Sequence, residues 1–179
     1  MTHKVIAVFG SSAPQPGSPT YGLAREVGRR LAEAGLAVAT GGYGGTMAGV
    51  SQGASEAGGH VIGITSSQIE QFRPIGANPW VAEEIKYDNL RDRLLHLVLQ
   101  NDGMITLPGS IGTLSEMSLA WSFLQVGEIE KRPFALLGDL WPATLKPFTA
   151  SEFMRSGDVD LLYFAPSAQA AVNFISANV

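Results

Sequence analysis

The 179-residue chain is 45% hydrophobic, carries a formal net charge of −4 and contains no cysteine. That composition excludes a disulfide framework, a thiolate nucleophile and a cysteine-based zinc site. Its mild acidity also disfavours a dedicated nucleic-acid or membrane-surface binder, because neither polyanion is attracted over the whole surface.

The length suits one domain, residues 1–179, with a two- or three-layer core. After Met1-Thr2-His3-Lys4 the apolar run Val5–Phe9 is too short for a secretory segment or a membrane span, so a cytoplasmic protein is expected. That run reads as a buried strand ending at the turn Gly10-Ser11-Ser12. Beyond a Pro/Gly/Ser loop, Thr20 is the candidate cap of a helix in which Leu23, Val27, Leu31 and Ala34 recur at helical spacing, closed by Gly35. Residues 36–39 predict a second strand and 41–45 a turn. Residues 47–57 predict a helix of small residues suited to close packing on the sheet, and 60–64 a third strand.

Residues 66–80 break this rhythm with two prolines and two apolar anchors, Phe72 and Trp80, and read as a loop of the kind that forms lids or binding loops. A strand over 81–87 and a helix over 89–100 follow, the helix turning Leu90, Leu94, Leu97 and Val98 inward. The rest reads as strand 103–107, helix 112–125, strand 133–137, helix 141–154, strand 161–164 and helix 168–175. Such alternation predicts a Rossmann-like α/β fold, a three-layer sandwich with a mostly parallel sheet flanked by helices on both faces. His3, His60 and His96 are scattered without ligand spacing, so no metal site is expected.

Open α/β sheets bind ligands beyond the carboxyl ends of their strands, where glycine turns let an anion approach backbone N–H groups. The stretches Thr40-Gly41-Gly42-Tyr43-Gly44-Gly45-Thr46 and Leu107-Pro108-Gly109-Ser110-Ile111-Gly112-Thr113 both meet that description. Neither has the Gly-Lys-Ser/Thr of a phosphate-binding P-loop, and the dinucleotide fingerprint is missing after the first strand. The candidate binding residues are therefore Gly10, Ser11, Gly42, Gly44, Gly45, Pro108, Gly109, Ser110, Gly112 and Thr113. Glu116 admits two readings. Thr113-Leu114-Ser115-Glu116 satisfies the S/T-x-x-E capping box, yet a carboxylate beside a phosphate turn is also placed to hold a sugar hydroxyl or activate water. Arg91 and Arg93 both fall in or beside the apolar sector of their helix, and periodicity does not choose between them.

Pro108-Gly109-Ser110-Ile111-Gly112-Thr113-Leu114-Ser115-Glu116 resembles the PGGxGTxxE signature of the Lonely guy (LOG) family. The resemblance extends to Phe9-Gly10-Ser11-Ser12, to Gly41-Gly42-Tyr43-Gly44-Gly45-Thr46-Met47 and to the strand before the signature. It implies a homodimeric nucleoside 5′-monophosphate phosphoribohydrolase that needs no cofactor and splits a nucleotide, cytokinin riboside 5′-monophosphates among them, into free base and ribose 5-phosphate. The resemblance also places the catalytic pair on Glu116 and Arg93, with the glycine turn on the 5′-phosphate. Two residues depart from the pattern: Ser110 replaces the second glycine of PGG, and Leu94 replaces the lysine that follows the arginine.

Molybdenum-cofactor carrier proteins have a similar glycine turn. The alternative is thus a non-catalytic carrier or sensor that binds a nucleotide or the molybdenum cofactor. Trp121 and Phe123 suit either a dimer face or the core.

Overall fold

A computed structural model describes residues 4–73, 75–155 and 157–179; His3, and Pro74 of the 66–80 stretch, lie outside it. Its first half runs β1 (Val5–Phe9), α1 (Pro19–Glu33), β2 (Ala37–Thr40), α2 (Thr46–Glu56), β3 (Val61–Ser66), α3 (Ser67–Phe72) and β4 (Glu83–Tyr87). The second half runs α4 (Leu90–Leu99), β5 (Gly103–Thr106), α5 (Ile111–Val126), β6 (Phe134–Leu137), α6 (Leu140–Thr149), β7 (Tyr163–Ala165) and α7 (Ala168–Ser176). The strands form one sheet in the order β4-β3-β2-β1-β5-β6-β7, and every pairing is parallel.

Strand alternation divides the core in two. Ile6, Val8, Val38, Ile105 and Leu137 face one way and pack with Ala24, Val27 and Leu31 of α1, Val50 and Ala54 of α2, and Val172 and Ile175 of α7. Ala7, Phe9, Ile64, Met104 and Leu136 face the other way, onto Leu97 of α4, Met117 and Leu124 of α5, and Trp141 and Leu145 of α6. The expected three-layer sandwich is therefore present. No helix among the described residues is long and apolar enough to cross a membrane.

The strand order sets the position of the site. From β1 the chain builds outward through β2, β3 and β4, then returns to the other side of β1 as β5. Connections leave β1 and β5 in opposite directions, which opens a crevice at their carboxyl ends. Phe9 pairs with Thr106 there, so the turns that begin at Gly10 and Leu107 are neighbours.

Several local expectations are corrected. Ser18, not Thr20, caps α1: its hydroxyl accepts from Tyr21 N at 3.3 Å, and Pro19 takes the first helical position, where its missing N–H costs nothing. The 66–80 stretch is not wholly a loop. Strand β3 runs on to Ser66 because Thr65 and Ser66 find partners in Glu84 and Tyr43, and α3 follows directly. Phe72 anchors nothing, since 81% of it is exposed. Leu90 is also exposed, because α4 buries Arg93, Leu97 and Val98 instead. Helix α6 ends at Thr149, short of residue 154, and the last strand starts at Tyr163 after a 3₁₀ turn.

The small residues of α2 serve helix–helix contact more than contact with the sheet. A Cβ on Gly53 would lie 1.9 Å from the Arg25 carbonyl oxygen, and one on Gly28 would lie 2.0 Å from that of Val50. Both obstacles are backbone, so α1 and α2 would have to separate. Gly53→Ala is expected to destabilise the protein by about 1–3 kcal/mol. Gly22→Ala, where a Cβ meets nothing within 4 Å, should be neutral or slightly stabilising. Urea midpoints of the two variants check this, and equal midpoints would contradict the close helix contact.

Candidate functional site

Three turns meet at the carboxyl edge. Ser11 ties the first to the second: its carbonyl accepts from Thr46 N at 2.8 Å and from Thr46 Oγ1 at 3.0 Å. The fit leaves no room for side chains. A Cβ on Gly10 would lie 2.1 Å from Thr46 Oγ1, and one on Gly45, at φ +67°, would lie 2.2 Å from the Ser11 carbonyl oxygen. Gly42 also has a positive φ, +79°, and backs onto Thr65. Gly44 is different, because a side chain there would meet nothing within 4 Å.

The third turn is held from behind. Leu107 N donates to the Phe9 carbonyl at 2.9 Å, and Trp141 Nε1 donates to the Leu107 carbonyl at 3.0 Å. Pro108 packs on Gly138. Gly109 must be glycine, since a Cβ would fall 2.2 Å from Thr113 Oγ1. That hydroxyl is buried, lies against the turn and has no hydrogen-bond partner. Ser110 is exposed and adopts an ordinary extended backbone (φ −105°), so serine in place of glycine strains nothing. Gly112 borders open space.

Helix α5 begins at Ile111 with Ser110 as its N-cap, and the Ser110 side chain makes no capping bond. Thr113 is therefore the third helical residue and Glu116 lies in the second turn, beyond reach of the free N–H groups. This overturns the capping-box reading. Glu116 is 8% exposed and turned toward α4.

Arg93 faces it. Nε donates to the Ile64 carbonyl at 2.7 Å and Nη2 to the Gly41 carbonyl at 3.1 Å, while the guanidinium lies 5.6 Å from the Tyr43 ring centroid. Nη1 is left 3.8 Å from Glu116 Oε1, an ion pair without a hydrogen bond. Arg91 points out and pairs with Asp92, so of the two arginines it is Arg93 that faces Glu116. Burial pushes the Glu116 carboxyl up to about 7 against the opposing pull of Arg93. It pushes Arg93 down, with Glu116 opposing. A carboxyl poised near neutrality can give or take a proton.

Sequence reasoning missed Tyr43 and Asn78. Asn78 Nδ2 donates to the Gly42 and Tyr43 carbonyls at 3.1 Å each, and Asn78 N donates to Gly42 O at 2.7 Å. The aromatic residue inside a glycine run was a signal for Tyr43; Asn78, in an aperiodic stretch, gave none. Trp121 is core, its Nε1 donating to the Asp158 carbonyl at 2.7 Å.

The cytokinin riboside 5′-monophosphate phosphoribohydrolase LOG of Oryza sativa subsp. japonica is 32% identical over 133 residues, 74% of this chain and 54% of that protein. The enzyme of the same name from Rhodococcoides fascians is 29% identical over 141 residues, 77% of this chain and 69% of its own. The chain spans about half the length of the first Oryza sativa relatives it matches.

Among solved structures, the molybdenum cofactor binding protein of Rippkaea orientalis superposes with a TM-score of 0.77 at 25% identity, covering 99% of this chain and 98% of that one. The molybdenum cofactor carrier protein of Chlamydomonas reinhardtii gives 0.74 at 26% identity, with 96% and 95% covered. The profile of the SLOG cluster4 family matches residues 3–130, which include all three turns, Arg93 and Glu116, and the chain belongs to that family.

Proposed function

We propose that this chain, acting as one domain, is a nucleoside 5′-monophosphate phosphoribohydrolase. One observation carries the reading: a buried Arg93–Glu116 pair, 3.8 Å apart, lies in the crevice where the three glycine turns meet. In this reading Gly109, Ser110, Gly112 and Thr113 hold the 5′-phosphate at the N-terminus of α5, with Pro108 shaping the turn. The orphaned Thr113 hydroxyl supports that assignment, because buried polar groups without partners are rare. Gly10, Ser11, Gly42, Gly44 and Gly45 form the opposite wall.

Glu116 orients a water and a ribose hydroxyl. The water oxygen bonds to C1′ as the C1′–N bond breaks, the base leaves with that electron pair, one proton of the water passes to the base and the other stays on the new C1′ hydroxyl. Positive charge that grows on the sugar is offset by the ionised carboxylate, while Arg93 keeps that carboxylate in place. The named activity of the LOG relatives supports the choice of a nucleotide, cytokinin ribosides being one class to test.

A second reading, a non-catalytic carrier of a phosphate-bearing pterin, is favoured by the near full-length likeness to the two molybdenum-cofactor proteins. The dimer is proposed too. A groove of about 550 Å³ beside α5 and α6, floored by core residues such as Trp121 and Leu145 and edged by the exposed Phe148 and Phe153, offers an apolar rim to a second copy.

The test is to incubate the purified protein with adenosine 5′-monophosphate, other nucleoside monophosphates and cytokinin riboside 5′-monophosphates, and to follow released base by chromatography. Release that is lost in Glu116→Gln is the expected result. Binding without release from any of them would favour the carrier.

A further inference from the structure

The Arg93–Glu116 spacing is unusual for a buried pair. Away from water, a guanidinium and a carboxylate ordinarily close to a hydrogen bond of about 2.7–2.9 Å. Here the gap is 3.8 Å, so something holds the cation back. The two carbonyls that accept from Nε and Nη2 set the plane of the guanidinium. Its face is set by Tyr43.

Tyr43 is itself immobilised. Its hydroxyl accepts from Ser66 N at 2.8 Å and donates to Ser66 O at 3.1 Å, with Glu70 Oε1 at 3.4 Å, and its carbonyl is held by Asn78. Gly41 completes the seat, because a Cβ there would lie 2.0 Å from Arg93 Nη2.

We propose that Tyr43 is the positioning residue of this site, its ring and its hydroxyl clamp on Ser66 holding Arg93 at a fixed stand-off from Glu116. A closed fork would occupy the carboxylate oxygens. The stand-off leaves them free for a ligand hydroxyl and a water while keeping the cation close enough to favour ionisation. What the pair does rests on the phosphoribohydrolase reading; its geometry does not. The charged and titratable groups in this chain of contacts, among the described residues, are Arg93 of α4 facing Glu116, Tyr43 facing Arg93, and Glu70 of α3 facing Tyr43, with Lys86 of β4 bonded to Glu70 at 2.9 Å and paired with Glu84 at 3.4 Å.

Tyr43→Met fills much of the space without a π face, and Tyr43→Phe keeps the face while losing the hydroxyl clamp. In Tyr43→Met, Arg93 is free to move onto the carboxylate and water can enter beside it. Both changes favour the ionised form, so the Glu116 titration midpoint should fall by about one unit, a tenfold change in ionisation ratio. Tyr43→Phe, which keeps the ring but lets it drift from Ser66, should shift the midpoint in the same direction by less than Tyr43→Met.

The midpoint is read by carbon NMR of protein labelled at the glutamate carboxyl carbons, with Glu116→Gln assigning the resonance. If nucleotides are cleaved, the pH profile of base release should move the same way in Tyr43→Met, with kcat down about tenfold and KM within about twofold. A folded Tyr43→Met with an unmoved midpoint overturns the proposal. Rapid solvent exchange of the wild-type Arg93 Nε–H would overturn it too, and needs no variant. Because the NMR midpoint requires no turnover, a protein that cleaves no nucleotide refutes the functional reading and leaves this test standing.

Discussion

Replacing Glu116 by glutamine is expected to abolish base release while making the protein relatively more stable as pH rises. Loss of a general acid–base of this kind costs roughly a thousandfold in rate. The stability effect follows from burial. The carboxyl titrates near 7 in the folded protein and at its ordinary value, 4.5, when unfolded. Between those values the native state binds more protons than the unfolded chain, so wild-type stability falls as pH rises through that window and levels off above it. The gap corresponds to about 3 kcal/mol. Glutamine is neutral throughout and escapes that loss. Urea unfolding of both proteins at pH 4.5 and pH 8.5 measures it, and a difference between them that does not change with pH would refute the raised carboxyl.

Arg93→Ala should be the most damaging single change at the site. It strips donors from two buried carbonyls, those of Ile64 and Gly41, removes the cation from the Tyr43 ring and leaves Glu116 without its counter-ion. Breaking a buried charged pair in this way costs about 3–5 kcal/mol. For a chain of this size that lowers Tm by about 6–20 °C. The carboxyl of Glu116 should then rise still further, because burial acts without opposition.

Arg93→Lys separates folding from chemistry. One ammonium cannot reach Ile64 O, Gly41 O and the carboxylate at once, so stability should recover in part while base release stays low. A melting curve for Arg93→Ala within about 2 °C of wild type would contradict this account.

The fold was legible because its signals are local. Runs such as Val5–Phe9 and the glycine turns that follow them state where strands end, and the alternation of strand and helix leaves few arrangements. Helix directions were legible only in part. A helical wheel gives the bearing of a side chain but not its reach, so Arg91 and Arg93 looked alike until Asp92 drew one outward and the crevice took the other. Glu116 was ambiguous for a different reason. The capping-box pattern depends on which residue is the N-cap, and a helix that starts three residues earlier changes the meaning of the same four letters. Tyr43 and Asn78 act through partners far away in the chain. Asn78 lies 36 residues from Gly42, and no spacing rule connects them.

The contacts of Asn78 and Arg93 give the second turn an electrical orientation. The carbonyls of Gly41, Gly42 and Tyr43 all point into the protein, one toward Arg93 and two toward Asn78. In a trans peptide the N–H opposes the carbonyl, and no peptide among the described residues is cis. The amides of Tyr43 and Gly44 therefore point the other way, on the side where Gly44 meets no neighbour. The Gly42 N–H is itself used inward, on Thr40 Oγ1 at 3.1 Å, so it is the two peptides held by Asn78 that form a fixed pair of dipoles. On the proposed reading, an anion reaching their N–H side would find them already aligned. The Asn78 side of that alignment is held by an uncharged amide, so it persists unchanged across the pH range in which Glu116 gains and loses its proton.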